Sequence, residues 1–324
     1  MNFYDATAVH RLLVDDKVRT EAFRASIVAA VKNGDVVLDV GTGSGILSLF
    51  AAQAGARRVY AVERAPGAAR LARKLVDDNG YADTVQVIEG DAATAVLHEP
   101  VDVIVSEWLG SYGVDENMLW PVLLARDRWL KPEGTMIPAV VTAWIAPVQH
   151  TAGAVAATLH NRPYGLDLSA LAPYSLDEVV WLPDGLQSDH LKAEPQPLWV
   201  TDCAHFAAAD ARKPYAAELT FELTGSGVNG LVTWFSADLP GGVILANGPD
   251  RPATHWGQFL FPVGNAHALQ AGDRLEVGFH NVPWGIYGSQ HIWSTRAGGP
   301  REVHDTRRHW HPGKGPPWRT YQAG

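Results

Sequence analysis

Cysteine is almost absent: Cys203 is the single one in 324 residues. Intrachain disulfides are thereby excluded, and so is a thiolate zinc site, which needs several sulfurs. With no basic partner near it in sequence, Cys203 reads as a buried structural thiol. Long hydrophobic runs are missing too, and no stretch approaches the ~20 apolar residues that a membrane helix needs. The opening segment MNFYDATAVHRLL lacks the basic-then-apolar order of a secretory signal, so a cytoplasmic protein is expected, with no membrane partner. Positive charge is in deficit, giving a formal net charge of −9. That weighs against nucleic-acid binding, whose affinity rests on phosphate contacts. It suits a cationic substrate steered by an acidic surface. His304, His309 and His311 have no helical frame and no converging carboxylates, so no metal is expected.

Hydrophobic residues make up 47% and charged residues 19%, which fits a globular chain long enough for two domains. Residues 21–32 read as a helix feeding a buried strand, Val36–Val40. Apolar runs at Arg58–Glu63, Val85–Glu89 and Val101–Ser106 then alternate with helical segments, among them Pro66–Asp78, with proline in the first turn where its missing N–H costs nothing. This alternation predicts a doubly wound, Rossmann-like parallel sheet to about residue 147. From about residue 200, short alternating segments recur (AELTFEL, GLVTWFSADL, QFLFPV, DRLEVGFH, SQHIWST), which predict a mostly antiparallel β-barrel. Residues 150–200 are Pro-rich and weakly periodic, and the chain from Arg301 looks irregular.

The segment VVLDVGTGSGILSLF sets Gly41, Gly43 and Gly45 between a strand and a helix, where backbone can approach a ligand closely and helix N–H groups are free. A dinucleotide fingerprint needs its third glycine at position 46, and Ile46 is there instead. What remains, acidic Asp39 followed by GxGxG, resembles the turn of class I S-adenosylmethionine methyltransferases. Glu63, eighteen residues after Gly45, stands where an acid would accept hydrogen bonds from both ribose hydroxyls.

After the fourth strand, SEWLGSYGVDENML sets Glu107 and Glu116 nine residues apart around a Gly-containing loop. Carboxylates held together repel unless a cation lies between them, and a guanidinium answers that need with paired planar donors. From spacing alone, two glutamates in a loop are usually a solvated pair. The segment resembles the double-glutamate loop of protein arginine N-methyltransferases, as does LLARDRWLKPEGTMIP after it. The N-terminal LLVDDKVRTEAFRASI, the HNRPYGLDLS segment and the intact Thr254–His255–Trp256 are similar to the same family, in the same order.

The resemblance implies an enzyme that moves the methyl group of S-adenosyl-L-methionine to a guanidino nitrogen of arginine, free or in a polypeptide. It implies a segment over residues 1–20 covering the cofactor, a cofactor domain over 21–147, and a barrel domain over 148–300. A dimerisation arm at about 160–198 would make a homodimer, and residues 301–324 form a tail. By resemblance Arg19 meets the cofactor carboxylate and Tyr4 helps to cover it. Glu107 and Glu116 grip the guanidinium, and His255 with Asp16 either relays a proton or ties the N-terminal helix to the barrel. Leu13, Met118 and Trp256 line the groove. Ala93 stands where the family usually carries a glutamate for adenine, leaving Asp91 or the backbone at Ala92. The Arg-rich tail either folds over the groove to meet the carboxylate of free arginine or stays loose. Ser106-Glu107-Trp108-Leu109 lacks the [DNS]PP[YFW] motif of nucleic-acid amino-methyltransferases. A non-catalytic cofactor-binding partner and a methyltransferase for another small guanidine stay open as alternatives.

Overall fold

Val36–Val40 has the near-continuous apolar character of a strand covered on both faces, and it lies at the centre of the first sheet. The computed structural model describes residues 6–157, 163–264, 266, 268–285 and 288–308; Tyr4 and the tail beyond residue 308 lie outside the described residues. Two helices come first, α1 (Thr7–Asp15) and α2 (Lys17–Ala30). Asp16 separates them and caps α2 by accepting the Arg19 amide at 3.0 Å. The helix expected from residue 21 thus begins at Lys17, and a boundary at residue 20 would cut through it.

Next come β1 (Val36–Val40), α3 (Ile46–Gln53), β2 (Arg58–Glu63), α4 (Pro66–Asp78), β3 (Val85–Glu89), β4 (Val101–Val105), α5 (Leu119–Trp129) and β5 (Leu130–Ile137). The sheet runs β3-β2-β1-β4-β5 and every pairing is parallel. Pro132 is tolerated in β5 because an edge strand has a ladder on one side only. Strand order reverses between β1 and β4, and at such a switch point the loops leaving the carboxyl ends diverge and open a crevice. The loop after β1 carries Gly41–Gly45 and the loop after β4 carries Glu107–Glu116. The topology therefore sets both sequence motifs on the two lips of one cleft.

The chain then builds a second body from β6 (Val140–Val148), α6 (Thr151–Ala157), α7 (Ala172–Leu176), β7 (Val180–Leu182), β8 (Gln196–Asp202), β9 (Tyr215–Glu222), β10 (Gly230–Leu239), β11 (Val243–Ala246), β12 (Gln258–Pro262), β13 (Arg274–Pro283), β14 (Ser289–Arg296) and β15 (Glu302–Asp305). One antiparallel sheet runs β7-β12-β10-β6-β8 with β11 on β10, and a second runs β15-β14-β13-β9. The two make the barrel-like body that the alternation predicts: in β9, Ala216, Glu218, Thr220 and Glu222 stay exposed while Phe221 is buried. Between the sheets, Phe261 meets Phe279 and Trp293 edge-on, with ring centroids 4.8 and 5.2 Å apart.

Two expectations need correction. The arm does not extend to residue 198, because β7 pairs with β12 and β8 with β6, so both are barrel strands. Their short runs sit among prolines and read as loop. The chain is also not irregular from residue 301, since Glu302–Asp305 pairs with β14. This strand turns a histidine, His304, inward against Trp293 rather than an apolar residue, which hides its period.

Arg126 on α5 ties the two bodies together, its Nη1 donating to the carbonyls of Cys203 and Phe206, each at 2.8 Å. Arg126→Leu leaves two carbonyls without their donor and should lower stability by about 2–4 kcal/mol. Urea unfolding reads this directly as a shifted midpoint; a shift too small to measure would mean that the tie is replaceable by water.

Candidate active site

The turn after β1 is shaped by a buried carboxylate. Asp39 is fully buried, and its Oδ2 accepts from the hydroxyls of Thr42 at 2.6 Å and Ser48 at 2.7 Å. Burial pushes its carboxyl up to about 6, against the pull of those two hydroxyls, with a further upward push from the charge of Glu63. Asp39 is not among the residues that line the cleft; through Thr42 and Ser48 it holds the turn from behind. Gly41, Gly43 and Gly45 all have positive φ (74°, 56° and 85°), the left-handed region that favours glycine. Gly41 and Gly43 line the cleft, whereas Gly45 caps α3 and packs on Ala72.

Glu63, at the end of β2, lies beside this turn. It is buried, and its two oxygens accept from the Gly43 amide at 2.8 Å and the Ala65 amide at 2.7 Å. Each oxygen keeps a lone pair for a ligand hydroxyl. Asp91 and Ala92 follow β3 on the same side of the cleft. Asp91 accepts the Ala93 amide at 2.9 Å and lies 3.8 Å from Arg64.

On the opposite lip, Glu107 accepts the Leu109 amide at 3.0 Å through one oxygen and Arg19 at 3.0 Å through the other. Arg19 also donates to the Leu13 carbonyl at 3.3 Å, so the N-terminal helices are pinned onto the Glu107 loop. Arg19 lines the cleft, and its partner in this structure is the Glu107 carboxylate. Glu116 lines the same cleft from the far end of the loop.

What holds the loop between the glutamates is a set of buried polar groups. Asp115 accepts the amides of Ser111 and Tyr112, each at 3.0 Å, and burial pushes its carboxyl up to about 6. A side chain at Gly110 would stand 2.5 Å from the Asp115 carboxylate, so only glycine fits there. Asn247, buried at the end of the β11 segment, donates one amide group to both Ser111 O at 2.8 Å and Gly257 O at 2.7 Å. It thereby joins the Glu107–Glu116 loop to the loop bearing His255. The Tyr112 hydroxyl, 2.7 Å from Asn281 Oδ1 and from His291 Nε2, anchors the same loop in the barrel. Burial drives His291 down to about 3, so the ring is neutral there.

His255 reaches the cleft from the barrel. Its Nδ1 and its amide both bond to Asp16 Oδ2, at 2.7 and 2.9 Å. Burial pushes Asp16 up, yet the donors from His255 and the Arg19 amide outweigh it and hold the carboxyl below its usual value. Nδ1 therefore carries the proton, which leaves Nε2 as the ring's acceptor. Asp16 itself stays behind the ring and does not line the cleft. Trp256 packs edge-on against Phe235 at 5.0 Å and lines the wall with Leu13 and Met118.

Several lining residues lie outside the sequence reading. His10, one turn before Leu13 on α1, stands 3.3 Å from where a side chain on Gly43 would begin; the i, i+3 spacing was the available signal. Trp120, Arg64 and Arg212 also line the cleft, and nothing local marks Arg212, which arrives from the turn between β8 and β9. The tail residues described are engaged elsewhere: Arg301 with Glu218, Arg307 with Asp305, Arg308 with Asp177. None of the three lines the cleft.

Asp39 yields a pH test with a fixed sign. Its folded pKa of about 6 lies above the ordinary 3.8, so the native state binds the extra proton between those values and stability falls as pH rises through that window. Asp39→Asn keeps an acceptor for both hydroxyls and cannot ionise. Relative to wild type it should gain stability progressively from pH 4 to 6, by ~3 kcal/mol in all, and no more above. Urea titrations at several pH values check this, and a constant difference between the two proteins would refute a buried titrating carboxyl.

Comparison with known proteins agrees with this architecture. Residues 21–135 match a family described as ribosomal protein L11 methyltransferase (PrmA), and residues 142–283 match the arginine methyltransferase oligomerization subdomain. Protein arginine N-methyltransferase PRMT10 of Oryza sativa subsp. japonica is 34% identical over 302 residues, covering 82% of this chain and 78% of that protein. Protein arginine N-methyltransferase 6 of Danio rerio is 32% identical over 296 residues, covering 84% and 81%. Among solved structures, Arabidopsis thaliana protein arginine methyltransferase 10 superposes with a TM-score of 0.77 at 28% identity, covering 93% of this chain and 97% of that one. The Trypanosoma brucei PRMT1 enzyme–prozyme heterotetrameric complex with AdoHcy gives 0.81 at 28% identity, covering 94% and 100%. With a relative above 30% identity aligned over most of both chains, and a cleft that carries paired glutamates opposite a glycine turn, this chain belongs to the protein arginine N-methyltransferase family.

Proposed function

We propose that this protein transfers the methyl group of S-adenosyl-L-methionine to a guanidino nitrogen of arginine, and that the arginine is part of a polypeptide. The observation that carries the reading is the convergence of Glu107, Glu116 and His255 with the Gly41–Gly43 turn and Glu63 in one cleft at the sheet's switch point. The cofactor fits the residues present: Gly41 and Gly43 leave room at the turn, Glu63 faces the cleft as an acceptor for ribose hydroxyls, and Arg19 offers a cation for a carboxylate. When bound, it supplies a methyl group on an electron-poor sulfonium. Leu13, Met118 and Trp256 give the groove its apolar walls.

The roles of the chain's own groups follow from their chemistry. A guanidinium is a poor nucleophile because each nitrogen shares its lone pair with the cation. Carboxylates at Glu107 and Glu116 draw positive charge toward the nitrogens they face and orient the remaining one. Arg19 and the Leu109 amide hold Glu107 in a single direction, so little ordering is left for the moment of reaction. His255, with its proton on Nδ1 directed at Asp16, offers Nε2 to the proton that the attacking nitrogen sheds. A polypeptide substrate is favoured by relatives named as protein arginine N-methyltransferases. A lid of tail arginines over the groove finds no support at Arg301, which is bound to the barrel. Cytoplasmic residence belongs to the same reading; among the described residues no helix is long and apolar enough to cross a membrane.

Assembly is the second element. The match to an oligomerization subdomain, with exposed Tyr164, Leu166, Leu171 and Tyr174 on the arm and exposed Leu12 and Val28 on α1 and α2, supports a two-fold homodimer in which each arm covers its partner's N-terminal helices.

Labelled S-adenosylmethionine offered to an Arg/Gly-rich peptide and to free arginine should label the peptide; label on free arginine alone would overturn the polypeptide substrate. Glu107→Gln and Glu116→Gln should each lower kcat by about 100-fold or more while leaving S-adenosylhomocysteine affinity within a few fold, because the loss falls on the transition state. Near-normal turnover in both would show a merely solvated pair. Replacing Tyr164 and Leu166 together by aspartate should convert the dimer to a monomer by light scattering, and an unchanged mass would place the interface elsewhere.

A further inference from the structure

Arg212 is a lining residue that the reaction above does not use. It comes from the short turn Asp210–Arg212 of the second body, yet it lines the cleft of the first. Its guanidinium carbon lies 4.4 Å from the centroid of the Trp120 ring, the geometry of a cation–π stack. The nearest acid in its own turn, Asp210, is taken by Lys213 at 2.6 Å. The other arginines of the cleft face carboxylates, Arg19 at 3.0 Å from Glu107 and Arg64 at 3.8 Å from Asp91. Arg212 makes no ion pair among the described residues, so its face is held by the indole while its N–H edge is left for a ligand.

The course of α5 says which ligand. Just before this helix, the Met118 methyl lies 3.8 Å from where a side chain on Gly41 would begin, above the cofactor turn. Further along the helix, Arg128 donates to the Ala93 carbonyl at 2.7 Å. Trp120 and Pro121 lie between those two points in sequence and line the same cleft as Gly90, Asp91 and Ala92. With the ribose at Glu63, the base falls against the segment after β3, under the first turn of α5. That segment has no spare acid for the adenine amino group. Ala93 ends in a methyl, and Asp91 is turned toward the Ala93 amide and Arg64.

We propose that Trp120 and Arg212, one from each domain, form one stacked unit that clamps the adenine of the cofactor against the segment after β3. The guanidinium lies on the indole with no gap between them, so the pair offers its outer flat surface to the base and the guanidinium edge donates to purine ring nitrogens, which are acceptors. The clamp rests on the cofactor reading above and adds a contact that spans the two domains.

Calorimetry of S-adenosylhomocysteine binding to the full chain tests it without reference to turnover. Arg212→Ala and Trp120→Ala should each weaken binding about tenfold, as expected for loss of a stacked base contact. The double variant should bind little worse than the weaker single variant, since the two side chains act as one unit. Arg212→Lys keeps the charge but not the plane and should resemble Arg212→Ala; full recovery by lysine would reduce the effect to simple charge and overturn the clamp. Adenosine, which lacks the amino-acid half, should show the same fold loss as S-adenosylhomocysteine. A loss seen with S-adenosylhomocysteine but not with adenosine would place Arg212 at the other end of the ligand. Wild type that binds S-adenosylhomocysteine, with variants equal to it, overturns the clamp alone. Wild type that does not bind it overturns the cofactor reading as well.

Discussion

Asn247 gives one side-chain amide to two carbonyls, Ser111 O and Gly257 O, and much of the cleft depends on that fork. The first carbonyl belongs to the loop that ends in Glu107 and Glu116, and the second follows His255 and Trp256. Its Oδ1 accepts the Phe235 amide at 2.8 Å, so the side chain is also fixed to β10. All of this is buried, where each unmet carbonyl would cost ~1–3 kcal/mol. An amide suits the position because it presents donors on one side and an acceptor on the other; a carboxylate of the same shape would face two carbonyls with like partial charge.

Around that fork the charges are arranged so that the site is acidic without being unstable. Asp115 is buried and satisfied by two amides; its carboxyl, raised by burial, sheds part of its charge cost by holding a proton more readily. Glu107 faces Arg19, which closes the N-terminal helices over the cleft with the same ion pair that steadies the carboxylate. Asp16 serves three partners at once: the Arg19 amide as a helix cap, the His255 amide and the His255 ring. A change in the N-terminal helices is therefore felt at both Glu107 and His255, although these residues sit in loops of different domains.

How much of this the sequence reveals depends on sequence separation. Gly41, Gly43 and Glu63 are legible because strand, turn and acid lie within one βαβ unit, and local spacing fixes where they meet. Glu107 and Glu116 are legible as a pair for the same reason. Asp39 is legible in part: an acid at a strand end before glycines looks like a ligand group, and only the structure shows its bonds to the hydroxyls of Thr42 and Ser48. Asn247 and Arg212 are illegible, since each acts across more than ninety positions of chain and no periodicity points to them. β15 is missed because its inward residue is His304, satisfied by Asp177 and stacked on Trp293, in a place where an apolar alternation would have been readable.

The same distinction explains why the cleft is an interdomain feature. A doubly wound sheet supplies backbone amides and carboxylates at its switch point but leaves that edge open to solvent. Two carboxylates in open water would gain little from a guanidinium, because exposed ion pairs are worth at most ~1 kcal/mol. The barrel-like body changes the medium: Trp256, Phe235 and the buried Asn247 cover the lip, and His255 arrives on the same loop. Lower local dielectric strengthens each charge contact that remains. The second domain thus contributes both His255 and an apolar cover over groups that the first domain provides.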